Sequence, residues 1–160
     1  MDYHISKLNE SHVDAVASLY VDVFSREPWN EKNDYKEIVL YIERMLSLNS
    51  NQSFLYTEND QLIGVALGFV KPWYKGKEYI LDTFLIHPNY QKNGRGQIFL
   101  SEIKIHLNKQ GIEDIALDTD KNTPAERFYL KNGFKQNQES VYLFSSTNDN
   151  DLINTTLDYS

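Results

Sequence analysis

Hydrophobic residues recur along this chain at two spacings, every second position and every third or fourth, and the two alternate from one end to the other. Residues 5–8 alternate and read as a short opening strand. Behind Ser11 and Asp14, a weak capping pair, Val13, Val16, Ala17, Tyr20 and Phe24 form a helical stripe that stops before Pro28. Asp34 is placed to cap a second helix with Ile38, Val39, Ile42, Met45 and Leu46 on its apolar face. Residues 54–57 and 62–70 return to the strand period, and Glu58-Asn59-Asp60-Gln61 between them has the composition of a hairpin turn. A second turn over 72–77 leads into a strand over 78–87.

After Pro88 the pattern changes. Gln91-Lys92-Asn93-Gly94-Arg95-Gly96 is a glycine-bearing loop, and Phe99, Leu100, Ile103 and Leu107 make a helical stripe that starts at Gly96 or Gln97 and ends at Gly111. Residues 112–118 read as a strand. Thr123 or Asn122 caps a short helix through Lys131, Gly133 closes it, and 141–144 is the last expected strand. The order β-α-α-β-β-β-α-β-α-β defines an α/β (α+β) fold, a mixed and mostly antiparallel sheet flanked by helices. Its 160 residues suit one domain, placed at 1–145, with a polar tail over 146–160.

Composition narrows the chemistry. There is no cysteine, which removes a thiol nucleophile, disulfides, iron–sulfur clusters and cysteine-based zinc sites. His4, His12, His87 and His106 have no ligand spacing, so no metal is expected, and His106 reads as structural or solvated. The net charge of −7 argues against a nucleic-acid partner. The start of the chain lacks the features of a signal peptide, and the longest nearly apolar run, 62–70, is well short of the roughly 20 residues that span a bilayer. A soluble, cytoplasmic protein with no membrane partner is the expectation.

The most informative segment is strand, Pro88, glycine loop, helix. Gly94 and Gly96 let the backbone approach a ligand, and the helix that follows aims free N–H groups and its positive dipole end into the loop. This is either a pyrophosphate cradle or a tight turn whose glycines serve geometry alone. It is not a G-x-x-x-x-G-K-[ST] loop, and it lacks the third glycine of a dinucleotide fingerprint.

Together with the segment beyond the next strand, the loop resembles the GNAT superfamily of N-acetyltransferases. Gln91–Gly96 matches that family's Q/R-x-x-G-x-G/A signature, and Asn122-Thr123-Pro124-Ala125-Glu126-Arg127-Phe128-Tyr129-Leu130-Lys131-Asn132-Gly133-Phe134 is similar to its N-x-x-A-x-x-F-Y-x-x-x-G-F signature. The resemblance implies an acetyl-CoA-dependent N-acetyltransferase. Gln91, Lys92, Asn93, Gly94, Arg95, Gly96 and Gln97 would hold the coenzyme, with backbone N–H groups from 92 to 97 on its pyrophosphate. The main chain of Phe84, Leu85 and Ile86 would pair with the pantetheine arm, and the Ile86 N–H would polarise the acetyl carbonyl. Asn122 would touch the pantetheine, and Tyr129 would protonate or hydrogen-bond the departing thiolate.

The chemistry is consistent on its own terms. An alkyl amine with a pKa of about 10 must lose a proton before it attacks a thioester, and a carboxylate in the cleft can take it. Direct transfer in a ternary complex needs no protein thiol. Asp82 lies four residues before Ile86, so a regular strand puts both on one face; it is either this base and amine contact or a solvated strand carboxylate. Tyr129 is either the thiol partner or a core ring. Asp118 and Asp120 are weaker candidates. Trp29 and Glu31, in Arg26-Glu27-Pro28-Trp29-Asn30-Glu31 between the first two helices, fall where this family binds its acceptor, and Trp73 joins them as an acceptor contact; each tryptophan is equally readable as packing.

The main expectation is acetylation of a primary amine on a small, cationic acceptor by an aminoglycoside-type, bacterial member that forms a homodimer. The competing readings are a protein or peptide acetyltransferase and a coenzyme A sensor without turnover.

Overall fold

Period-two burial along the strands divides the interior into two layers, one on each face of a single sheet. The computed structural model describes residues 2–148. Strands β1 (Tyr3–Lys7), β2 (Phe54–Glu58), β3 (Gln61–Trp73), β4 (Gly76–Ile86) and β5 (Asp114–Ala116) lie side by side in that order. The first four are antiparallel neighbours, and β5 runs parallel to β4. Helices α1 (Val13–Ser25) and α2 (Tyr35–Ser47) cover one face, where Val16, Ala17, Val23 and Ile42 pack on Leu55, Val65, Leu67 and Leu85. Helix α3 (Arg95–Lys109) covers the other, with Phe99, Ile103 and Leu107 on Tyr56, Ile63 and Tyr79. Helix α4 (Pro124–Lys131) lies beyond β5 in the chain.

Local chemistry sets the ends of these elements. The Asp34 carboxylate accepts from the Lys36 N–H and caps α2 as expected. At α1 the cap is displaced: Asn9, not Ser11, caps a 3₁₀ turn over Glu10–His12, with His12 reciprocating. Thr123 caps α4 by accepting from the Glu126 N–H. Gly111, at φ +76°, follows α3 in the left-handed conformation that favours glycine.

The sheet departs from regularity where it matters most. Leu67 pairs with Thr83 but Gly68 pairs with Leu81, so Asp82 is an extra residue in β4, a β-bulge. Gly68 faces it because nothing larger fits: a Cβ there would stand 2.3 Å from the Tyr79 hydroxyl and 2.6 Å from the Ile80 carbonyl oxygen.

Two sequence expectations need correction. The strand expected over 112–118 is only Asp114–Ala116. Residues 141–144 form no strand; Val141, Tyr142, Leu143 and Phe144 are 80%, 75%, 82% and 86% exposed. Alternation records a preference that is realised only beside a paired neighbour, and the three-residue β5 offers little length to pair with. Of the expected tail, 146–148 is exposed, and 149–160 lies outside the described residues.

Candidate active site

Strands β4 and β5 pair only at Glu78–Asp114, Tyr79–Ile115 and Ile80–Ala116. Their pairing ends just before the bulge at Asp82, where β4 bends, so the rest of β4 has no strand beside it on that edge among the described residues. The ladder decides which groups face the opening. The His87 N–H donates to the Ile63 carbonyl at 2.6 Å on the β3 side. By antiparallel alternation Leu85 also points its main chain to β3, whereas Phe84 and Ile86 point theirs into the opening. Of the three residues expected to meet a pantetheine arm, Phe84 and Ile86 therefore turn main-chain groups into the opening and Leu85 does not. The Gln91 side chain donates to the Ile86 carbonyl at 2.9 Å, which fastens the loop to the strand and leaves the Ile86 N–H facing the cleft.

The glycine loop runs from Gln91 into the first turn of α3. Gly94 is the helix N-cap at φ +79°, and Lys92 has φ +66°. A Cβ on Gly94 would meet nothing within 4 Å, so the space above that backbone is open. The first intrahelical bond is from the Ile98 N–H to the Gly94 carbonyl, which leaves the N–H groups of Arg95, Gly96 and Gln97 without helical acceptors. Gly96 has a different reason: a Cβ there would lie 3.1 Å from the Phe128 ring and 3.7 Å from Ile86, where α3, α4 and β4 converge. A pyrophosphate fits this arrangement of first-turn amides, helix dipole and open space.

The Arg95 side chain turns to the end of β2. Its Nε donates to the Glu58 carboxylate at 2.9 Å, and its guanidinium lies 4.9 Å from the Tyr90 ring centroid. Tyr56 donates to the same carboxylate oxygen at 2.9 Å. Glu58 is 5% exposed, and Arg95 holds its carboxyl below the usual range. Residue 58 was read as part of a turn; it is the buried end of β2, tying that strand to the start of α3.

On α4, Tyr129 stands T-shaped to Phe84 with ring centroids 6.3 Å apart, over the open stretch of β4. Phe128 and Phe134 pack on its other sides. Burial pushes the Tyr129 phenol up to about 12, so it is a proton donor at neutral pH. Its hydroxyl has no hydrogen-bond partner among the described residues. Asn122, at φ +63°, donates its backbone N–H to Glu126 Oε1 in the turn before α4.

The acceptor candidates gather on the opposite face. The bulge reverses the alternation, so Asp82 does not share a face with Ile86: Ile86 packs in the α3 layer, while Asp82 accepts a hydrogen bond from the Tyr41 hydroxyl of α2. That hydroxyl also lies 2.8 Å from Thr83 Oγ1. Tyr41 packs at 6.1 Å from Tyr20, Tyr20 at 4.6 Å from Phe24, and Phe24 at 5.2 Å from Trp29, one row of rings from the α1–α2 loop to Asp82. Burial raises the Tyr20 phenol, and the Glu31 and Asp82 carboxylates add to it from nearby. Trp29, Glu31 and Asp82 are thus brought together. Trp73 is not: it pairs with Gly76 at the hairpin tip, about 20 Å along β4 from Asp82 at about 3.3 Å per residue.

Tyr41 and Thr83 were not singled out by sequence, and Tyr20 was read only as part of a helical stripe. Tyr41 lies three positions after Ile38 on the same helical face, which marks it as inward-facing but not as the partner of a residue 41 positions later. His106 stands edge-on to Phe54 and bonds Gln110, a structural role.

A profile of the acetyltransferase (GNAT) family matches residues 13–134, and the chain belongs to that family. Its members use acetyl-CoA, which makes this chain an acyltransferase by kinship. No curated protein matches it significantly by sequence. Among solved structures, a possible acetyltransferase from Clostridium difficile 630 superposes with a TM-score of 0.78 at 15% identity, covering 90% of this chain and 97% of that one. Aminoglycoside N-acetyltransferase AAC(6')-Iy in complex with CoA gives 0.73 at 16%, covering 91% and 95%. An aminoglycoside acetyltransferase, meta-AAC0020, from an uncultured soil metagenomic sample, in complex with sisomicin, gives 0.69 at 16%, covering 90% and 95%. At such identities the likeness establishes the fold.

Proposed function

We propose that this protein transfers the acetyl group of acetyl-CoA to a primary amine of a small cationic acceptor, by direct attack in a ternary complex. The observation that carries this reading is the open edge of β4, flanked by the amides of Gly96 and Gln97 at the start of α3 and by a Tyr129 hydroxyl with no hydrogen-bond partner among the described residues. The loop amides from 92 to 97 hold the pyrophosphate, and the Phe84 and Ile86 main chains hold the pantetheine arm. Asn122, in its turn at the start of α4, borders that arm. The Ile86 N–H hydrogen-bonds the acetyl oxygen as negative charge builds there. Asp82, directly or through water, takes the proton that the ammonium must lose. The amine nitrogen then bonds to the carbonyl carbon, the carbon–sulfur bond breaks, and Tyr129 donates to the departing thiolate.

A cationic acceptor is supported by the row of rings from Trp29 to Tyr41 between the Glu31 and Asp82 carboxylates. Two of the similar structures are named as aminoglycoside acetyltransferases, one with sisomicin bound, and an aminoglycoside-type bacterial enzyme working in the cytoplasm is the reading we adopt. No helix among the described residues is long and apolar enough to cross a membrane. The homodimer belongs to the same reading: a second copy would cover the exposed stretch at 141–144 and could pair with the outer edge of β5. We take residues 1–145 as the catalytic domain.

The test is thiol release from acetyl-CoA with aminoglycosides, polyamines, amino acids and peptides, with product masses. A product heavier than a small amine by one acetyl group is expected. Turnover confined to peptides would replace the small-molecule reading, and saturable coenzyme binding without any acetylated product would replace the enzymatic one.

A further inference from the structure

Asp82 projects from a bulge on the edge of a sheet, a position from which a short carboxylate would ordinarily swing freely in water. It does not swing here. Helix α2 crosses the same face, and the Tyr41 hydroxyl donates to Asp82 Oδ2 while lying 2.8 Å from Thr83 Oγ1. The proton order follows from the inventory of groups: an ionised carboxylate only accepts, so Tyr41 spends its single proton on Asp82, and Thr83 supplies its own to the Tyr41 oxygen. Thr83 is 8% exposed and Tyr41 is half-buried against Tyr20, so both donors are held by packing. Asp82 Oδ1 has no hydrogen bond to any described residue.

We infer that Tyr41 is a positioning residue for Asp82: it pins one carboxylate oxygen across the helix–sheet interface and leaves the other directed at the acceptor's ammonium group. The inference rests on the reading of Asp82 as amine contact and base. It gives the bulge a purpose: Leu81 and Phe84 both face the α3 layer, and the extra residue between them lets Asp82 and Thr83 together reach Tyr41 on the α2 face. It also compensates for the reach of aspartate, which is one methylene shorter than glutamate: a fixed short acid can do what a longer one does by searching. Fixing a general base in place is a condition of its efficiency.

The experiment compares Tyr41→Phe, Asp82→Asn and the double variant, with sisomicin and spermidine as acceptors. Tyr41→Phe keeps the ring in its packing and removes only the hydroxyl. It should raise the KM for the amine and lower kcat/KM for it about tenfold, with coenzyme affinity and melting temperature near those of the wild type. In the Asp82→Asn background it should add less than about twofold, because coupled groups are not additive. Full multiplication of the two effects would overturn the inference, as would an impaired Asp82→Asn beside an unchanged Tyr41→Phe. An unimpaired Asp82→Asn would instead remove the base reading, and the inference with it. Proton NMR needs no acceptor: a slowly exchanging tyrosine hydroxyl signal lost in Tyr41→Phe and in Asp82→Ala, which removes the accepting oxygen, supports the pair, and its survival in Asp82→Ala overturns it.

Discussion

The two halves of the cleft are made of different material. On the side proposed for the coenzyme the polar groups on offer are backbone: the amides of Gly96 and Gln97 in the first turn of α3, the alternating main chain of β4, and glycines that keep side chains out. The only guanidinium in the loop is committed to Glu58. On the side proposed for the acceptor nearly everything is side chain, four aromatic rings and two carboxylates from α1, α2, the loop between them and β4. The difference has a chemical logic. A pyrophosphate and an amide-bearing arm are constant, and main-chain N–H groups answer them without depending on which side chains are present. An acceptor is variable, and side chains can change with it while the fold stays the same.

This contrast can be broken or sharpened by substitution. The largest effect is expected at Tyr129, which stands between the halves: Tyr129→Phe should lower kcat about 10²-fold while calorimetry finds coenzyme affinity almost unchanged. Because the Tyr129 phenol is pushed up to about 12, it stays protonated through the working range, and any basic fall in kcat below pH about 10 must come from another group. An unchanged kcat would return Tyr129 to the role of a core ring. Next comes Gly68→Ala, which forces a methyl against the Tyr79 hydroxyl and the Ile80 carbonyl. Thermal unfolding should register a loss of about 1–3 kcal/mol, and the amine KM should suffer more than coenzyme affinity, since the bulge serves the side-chain half.

A smaller effect, confined to the backbone half, is expected from Glu58→Gln. The loop loses its buried anchor, so coenzyme should bind several-fold more weakly, with the amine KM unmoved. The same variant has a pH signature. Arg95 holds Glu58 below its ordinary range, so its contribution to stability is present above that range and is lost as pH falls through the depressed value. Acidification should therefore lower the wild-type melting temperature more than that of Glu58→Gln. The smallest effect belongs to Trp73→Ala, at the hairpin tip: both halves should keep their constants within about twofold, and a large loss would mean that the tip folds over the acceptor.

The same division explains what could be read in advance. The glycine loop and the segment around α4 were legible as elements because their signals are local: Gly94 and Gly96 lie in one short stretch, and Tyr129 and Asn122 in another. Helices α1, α2 and α3 were legible from spacing. What escaped needed the third dimension. A bulge leaves no mark in the sequence, so Asp82 was assigned to the wrong face. Tyr41 and Glu58 act on partners 41 and 37 positions away, and no periodicity records such pairings. The alternation at 141–144 stated a preference that the described fold does not satisfy.

The open stretch of β4 is also an unfinished edge. Phe84 presents a main-chain donor and acceptor, and Ile86 its donor, to whatever extended chain arrives. A coenzyme that lies there is a guest strand as well as a reactant. At 100 times its dissociation constant it would add about 2.7 kcal/mol to folding stability while hiding the edge from other chains. Starved of coenzyme, the protein would carry an invitation to sticky pairing with its own kind, and light scattering with and without coenzyme A would register it.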